Sequence, residues 1–294
     1  MKKIILALLA VTLLATAVQP AQAEDQKVLA IIDTAIDSNK VKSVIHEVCF
    51  TDSTDMACPN GELFMEGKGS AVSKVWPTSM NNATYHGHNM TQVALSVDAD
   101  VKIVFVRVAN ITALGNSGIT TNTLSLGMDW VSKNAAKYGI DAVSISQSSN
   151  SKNNIDACSG TGELKDVGLR AINAVSLLNL SSIPVFAGTG NNSNAKSIAP
   201  VGFPACITEA IGVGAVRPNL TELAPYTNRG LGLDVISLGT ADTKTYKGHV
   251  VTLSGTSVST AIAATSYVKN KGSKTFVDFS KSLLNVLGFP YITK

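Results

Sequence analysis

Residues 28–37 read Val28-Leu29-Ala30-Ile31-Ile32-Asp33-Thr34-Ala35-Ile36-Asp37. Five consecutive apolar residues, rich in β-branched and branched side chains, end abruptly in a carboxylate. A short run of this kind predicts a strand buried on both faces, the situation of a strand inside a parallel sheet. Working outward, similar runs occur at Val101–Val108, Ala142–Ser146, Ile183–Ala187, Ala210–Ala215 and Leu233–Ser237. Between and after them lie helix-like stretches at His88–Val97, Asn122–Tyr138, Glu163–Leu178, Ser257–Lys269 and Val277–Leu287. In the second of these, Leu124, Met128, Val131 and Ala135 recur at helical spacing, so one face should pack on the sheet. Alternation of strands and helices predicts an α/β fold of three layers: a mostly parallel central sheet with helices on both faces. Residues Phe50 to Tyr85 are rich in Ser, Thr, Asn and Gly without a clean period and read as an elaborated surface connection.

The composition agrees with one large core. The chain has 294 residues, 45% hydrophobic and only 15% charged, which excludes a disordered polymer. A formal charge of +3, with no run of Lys or Arg longer than two, argues against a nucleic-acid partner. No internal repeat or Pro-rich linker divides the sequence, so residues 24–294 are expected to form a single domain.

Residues 1–23 have the layout of an export signal: Lys2 and Lys3, an apolar stretch from Ile4 to Val18, and Ala21-Gln22-Ala23 as an A-x-A cleavage site. The apolar stretch is shorter than the roughly 20 residues that span a bilayer. The expectation is a secreted or periplasmic protein without a stable membrane anchor. In an oxidising compartment the four cysteines, Cys49, Cys58, Cys158 and Cys206, should form two disulfides. Three pairings are open; Cys49 with Cys58 and Cys158 with Cys206 is preferred, because the first closes a short polar loop. Without a C-x-x-C or H-E-x-x-H pattern, zinc is not expected.

Three segments carry the chemistry. Asp33 ends a buried strand, where a carboxylate needs a partner. His86, in Tyr85-His86-Gly87-His88, follows from a turn into a helix. Ser257, in Gly255-Thr256-Ser257-Val258-Ser259-Thr260, sits among small residues where a loop enters an apolar helix. Singly, these read as a turn Asp, a surface His and an N-cap Ser. Together they give the order Asp, His, Ser, one of the known chain orders of catalytic triads. A fourth segment, Ile183 to Asn192, is a buried strand ending in Gly188-Thr189-Gly190-Asn191, and an Asn amide there can donate to the oxyanion formed when an acyl group is attacked.

These motifs resemble those of the subtilisin-like serine proteases, the subtilases. Asp33-Thr34-Ala35-Ile36 is similar to the family's D-T/S-G-I/V, His86-Gly87-His88 to H-G-T-H, Gly190-Asn191 to A-G-N and Gly255 to Thr260 to G-T-S-M-A-T. Phe203-Pro204-Ala205, Ile211 to Ala215 and Tyr226 to Gly230 resemble Y-P-A, V-I-x-V-G-A and F-S-N-x-G. The resemblance runs from about Val28 to Lys269. It implies Ser257 as nucleophile, His86 as general base and then acid, Asp33 as orienter of the imidazole and Asn191 as oxyanion donor. It also implies an extended peptide or protein substrate held between two edge segments, which here are Leu114, Gly115 and Gly118 on one side and Ser146-Gln147-Ser148, in place of S-L-G, on the other, with Gly188 nearby. The resemblance implies no required cofactor; many members of the family hold structural calcium, whose ligands follow no short motif that would identify them here.

Ala35, His88 and Asn89, Thr189 and Ala261 depart from the family pattern, yet none removes a reacting group. Only Glu24 to Lys27 separate the expected cleavage site from the first strand, so no propeptide is recognisable; a separate folding helper or inhibitor is the alternative to unaided folding, and a monomer is expected. A rival reading keeps the fold as an inactive exported scaffold. An α/β-hydrolase fails because position 259 is Ser where G-x-S-x-G needs Gly, and Gly61 to Gly69 does not make a phosphate-binding loop.

Overall fold

The computed structural model of the chain describes residues 26–78 and 83–294, so the signal expected at 1–23 lies outside the described residues. In chain order the strands are β1 (Val28–Asp33), β2 (Val44–Phe50), β3 (Phe64–Glu66), β4 (Lys102–Arg107), β5 (Ala109–Ile111), β6 (Ser117–Ile119), β7 (Ala142–Ile145), β8 (Val185–Gly188), β9 (Ile211–Val216), β10 (Val235–Leu238), β11 (Thr240–Lys244), β12 (Val250–Ser254), β13 (Leu284–Val286) and β14 (Phe289–Ile292). The α-helices are α1 (His86–Val97), α2 (Thr121–Tyr138), α3 (Lys152–Ala157), α4 (Lys165–Leu180), α5 (Thr256–Asn270) and α6 (Phe276–Ser280).

β1 lies inside the main sheet, paired in parallel with β4 on one side and β7 on the other. The full order is β13-β14-β10-β9-β8-β7-β1-β4-β2-β3. Neighbours are parallel except at the two edges, where β13 and β3 run antiparallel to β14 and β2. All of β1 is buried. Because successive side chains point to opposite faces, Val28, Ala30 and Ile32 join the core under α2 and α4, with Leu124, Met128 and Val175. Leu29 and Ile31 join the core under α5, with Phe105, Ala264 and Tyr267. This is the predicted three-layer α/β architecture, and it explains why the run is apolar at every position.

Helix α2 follows the predicted stripe, with Leu124, Met128, Val131 and Ala135 all buried. Its first turn is fixed by a reciprocal cap: Thr120 Oγ1 accepts from the Thr123 N–H, and Thr123 Oγ1 accepts from the Thr120 N–H. Gly139, at φ 62°, ends it in the left-handed conformation.

Three expectations need correction. The helix predicted over Val277–Leu287 stops at Ser280, and Leu284–Val286 turns back on Phe289–Ile292 as a hairpin. Leu287 and Gly288 both take positive φ, as a two-residue hairpin turn demands. Strand β2 was not predicted: His46 and Glu47 interrupt its apolar pattern, yet the buried Glu47 carboxylate is satisfied by the N–H groups of Gly69 (3.0 Å) and Ala71 (3.2 Å). That contact also ties the Phe50–Tyr85 stretch inward, so Ser70 and Ala71 are fully buried and the stretch is not wholly a surface connection.

Both disulfides form in the preferred pairing, Cys49–Cys58 and Cys158–Cys206. The first spans 9 residues and the second 48, so loop-closure entropy assigns roughly 2.5 and roughly 4 kcal/mol to them respectively. Replacing the second pair by serines is therefore expected to lower the urea midpoint more than replacing the first. An equal or reversed order would show that native-state contacts of the short loop outweigh the entropy.

Candidate active site

The carboxyl ends of β1, β7 and β8 open toward the N-termini of α1 and α5, the place where open parallel sheets set their sites. Asp33, the last residue of β1, is fully buried, and its Oδ1 lies 2.8 Å from His86 Nδ1. The Thr34 N–H donates to the same oxygen at 2.7 Å. Thr34 also clamps the histidine's segment, because its Oγ1 accepts from the Gly87 N–H (2.8 Å) and donates to the Thr84 carbonyl (3.2 Å). Gly87 permits this approach: a Cβ there would stand 2.6 Å from the Phe105 ring and 2.9 Å from the Ala35 carbonyl.

The His86 side chain is 28% exposed, while Asp33 is fully buried. Desolvation pushes its pKa down, but the charge and hydrogen bond of Asp33 push it up and prevail, leaving it above the ordinary value. His88 has the opposite character. Burial drives its pKa down to about 4, and its ring lies edge-on to Tyr246, 5.5 Å between centroids. Of the two histidines, only His86 meets a carboxylate at hydrogen-bond distance.

Ser257 sits in the first turn of α5, which begins after Gly255, a residue at φ 147°. Its hydroxyl donates to the Ser146 carbonyl at 2.8 Å, while the Ser146 hydroxyl donates to the Ser257 carbonyl at 3.1 Å, so the nucleophile candidate rests on the end of β7 and not on His86. Asn191 faces the same helix start. Its Oδ1 accepts from the Thr256 N–H (2.9 Å) and the Thr256 hydroxyl (3.1 Å), an arrangement that leaves Nδ2 as its free donor. A methyl placed on Gly255 would lie 3.4 Å from Asn191 Nδ2 and 3.7 Å from the Ser257 nitrogen. The two donors therefore border one small space.

The predicted substrate residues are spread around this centre. Ser146, Gln147 and Ser148 follow β7; Ser148 Oγ donates to the Thr189 carbonyl at 3.2 Å. Gln147 and Ser148 help to wall a cleft of about 360 Å³ whose other lining includes Ile119, Leu124, Leu164 and Phe203. Leu114 and Gly115 lie in the turn of the β5–β6 hairpin, with Gly118 in its second strand; Leu114 is 81% exposed, whereas Gly115 is buried, and a Cβ there would stand 2.6 Å from the Pro77 ring. Gly188 lies at the end of β8 beneath α5, where a Cβ would meet Thr260 and Thr256 at 3.2 and 3.3 Å. It underlies the site and does not line the cleft.

Sequence reasoning missed the supporting residues. Thr34 and Thr256 lay inside quoted motifs but had no assigned role. Asn228 holds the Asn191 turn: its Oδ1 accepts from the N–H groups of Asn192 (2.7 Å) and Ser193 (3.1 Å), and its Nδ2 donates to the Pro200 carbonyl (2.9 Å). The signal that could have found it is its place in Tyr226-Thr227-Asn228-Arg229-Gly230.

Comparison with protein families matches residues 25–273 to the Subtilase family. Among relatives, subtilisin DY of Bacillus licheniformis is 26% identical over 206 residues, 70% of this chain. The match spans 66% of that protein, just under two thirds of its length. A solved protease structure from Pseudoalteromonas arctica superposes with a TM-score of 0.65 at 18% identity, covering 90% of this chain and 84% of the other. Sphericase superposes at 0.61 and 18% identity, covering 90% and 86%. At these identities the two structures speak for the fold alone.

Proposed function

The chain belongs to the subtilase family, and from that premise we propose that it is an exported serine endopeptidase acting through an acyl-enzyme. The observation that carries this reading is the Asp33–His86 hydrogen bond of 2.8 Å, placed beside the start of α5 where Ser257 projects. Asp33 holds the neutral imidazole with its proton on Nδ1, which leaves Nε2 free to accept. On substrate arrival the Ser257 hydroxyl leaves the Ser146 carbonyl, rotates toward His86 and gives up its proton as Oγ attacks the peptide carbonyl. Catalytic hydrogen bonds commonly tighten only in the substrate complex. Negative charge then grows on the carbonyl oxygen, in the space bordered by Asn191 Nδ2 and the Ser257 N–H. His86 returns the proton to the leaving amine, and water repeats the sequence on the acyl-enzyme.

The substrate is an extended protein or peptide chain, with an apolar side chain directed into the cleft by Ile119, Leu124, Leu164 and Phe203. Residues 24–294 act as one secreted or periplasmic catalytic domain, a monomer, with a separate protein to assist its folding or restrain it. Among the described residues no helix is long and apolar enough to cross a membrane. Among the same residues, no group of three or more His, Cys, Asp or Glu side chains gathers as a metal site.

A sulfonyl fluoride should label Ser257 and stop hydrolysis of a protein substrate, while a zinc chelator leaves hydrolysis intact; the reverse pattern would overturn the serine mechanism. The pH dependence follows from His86. An imidazole whose pKa is raised keeps its proton to higher pH, and the protonated ring cannot act as base. The acid limb of kcat/KM should therefore fall above the ordinary histidine value of about 6.5. A rate that holds flat down to about pH 4 would exclude a histidine base.

A further inference from the structure

Between Ser146 and Ser148 this chain carries Gln147 where the subtilases it resembles carry Leu. The side chain does more than wall the cleft. Its Nε2 lies 3.1 Å from Asp33 Oδ1 and 3.1 Å from His86 Nδ1, contacts that reach 114 and 61 residues along the chain. With Nδ1 already donating to Asp33, an amide N–H has only Oδ1 to accept it. The reversed amide would set Oε1 against the carboxylate, acceptor against acceptor, which fixes the orientation. Asp33 Oδ1 thus gathers three donors, from Thr34, His86 and Gln147, while Oδ2 is buried with no partner among the described residues.

We propose that Gln147 is a positioning residue for the Asp33–His86 pair, holding the carboxylate by a third hydrogen bond and setting how strongly it attracts the imidazolium proton. This rests on the serine-protease reading of the same site. A donor to a carboxylate draws off part of its negative charge, and the positive end of the same amide dipole faces the ring. Both effects disfavour the protonated imidazole. Gln147 therefore opposes Asp33 and lowers the pH at which His86 becomes a working base. An apolar residue at this position has no such effect.

The other charged groups near α1 do not compete for this role. Among the described residues, Asp33 is the charge that raises the His86 pKa. On the hairpin strand β11, Asp242 accepts from Thr252 (2.6 Å). On α5, Lys269 donates to the Val97 carbonyl at the far end of α1 (2.8 Å). His88 is held neutral by burial.

The test is the pH profile of kcat/KM on a chromogenic peptide for wild type, Gln147→Leu and Gln147→Glu, together with NMR titration of the His86 Nδ1–H in a Ser257→Ala background. Gln147→Glu sets a like charge beside Asp33 and should move the acid limb upward by about one unit or more, roughly a tenfold loss at a fixed pH on that limb. Gln147→Leu, close to the original in size, should move it the same way by less. The NMR titration should follow the same order. If both variants leave the acid limb and the titration in place and alter only KM or side-chain preference, Gln147 is a wall of the cleft and the proposal fails. Should Gln147→Glu not fold, Gln147→Leu decides alone, by the same two readouts. Failure of the underlying reading looks different: the wild type would resist sulfonyl fluoride labelling at Ser257, whereas the NMR titration needs no turnover and still reports the Gln147 contact.

Discussion

Ser257→Ala, His86→Ala and the double variant should all lose about the same factor in kcat, on the order of 10⁶, the scale known for subtilisin and transferred here to a relative. The equality matters more than the size. In the proposed mechanism nucleophile and base move one proton between them, so removing either ends the step and removing the second costs nothing further. A residual rate above that of water should survive, since the donors beside Gly255 still polarise the carbonyl. His88→Ala is the control. It is buried, neutral and 2% exposed, and it makes no hydrogen bond to Asp33, so its loss should lower thermal stability and leave the kcat of the folded enzyme nearly intact. Activity that survives His86→Ala but dies with His88→Ala would move the base by two residues and refute the assignment. A double variant far worse than either single one would show that the two groups act in separate steps.

Those residues were legible in the sequence because the physics around them is local. The apolar run before Asp33 could only be a strand buried on both faces, and a carboxylate at its end announced a partner. Ser257 stood where small residues entered an apolar helix, and the helix did begin at Thr256. What escaped depends on contacts between distant segments. Glu47 in β2 is an acceptable buried residue only because Gly69 and Ala71, beyond a disulfide loop, turn their N–H groups to it. The β13–β14 hairpin turns on Leu287-Gly288, which lacks the Asn-Gly or Asp-Gly signature that marks such turns in a sequence. From the sequence Gln147 reads as part of an edge segment that holds the substrate, because it occupies the middle of a substrate-binding motif. Its amide reaches Asp33 only after β7 and β1 pair side by side, a register that no local pattern contains.

Asn191→Leu should lower kcat by about 10² to 10³, roughly 2.7 to 4 kcal/mol, with little change in KM; the magnitude is that of the oxyanion-hole asparagine of subtilisin, carried over to this chain. The structure adds a complication. Asn191 Oδ1 accepts from the Thr256 N–H and hydroxyl at the start of α5, so Leu removes a helix-terminal acceptor together with the free Nδ2 donor. Loss of such an acceptor costs stability on the order of 1 kcal/mol. Asn191→Asp separates the two effects. It keeps an oxygen for Thr256 and removes the donor, and its negative charge would repel the developing oxyanion. The melting temperature of Asn191→Asp should therefore stay closer to wild type than that of Asn191→Leu, while its kcat falls at least as far. Asn192 supplies the control for alignment within Gly190-Asn191-Asn192. Its side-chain oxygen accepts from Asn228 Nδ2 at 3.3 Å, so Asn192→Leu should disturb the turn without removing a donor from the space beside Gly255. If kcat collapses for Asn192→Leu and not for Asn191→Leu, the donor is misassigned by one residue. If Asn191→Asp and Asn191→Leu both retain normal kcat and only the melting temperature drops, Asn191 is a cap for α5, and the tetrahedral oxyanion must rely on the Ser257 N–H and some other donor.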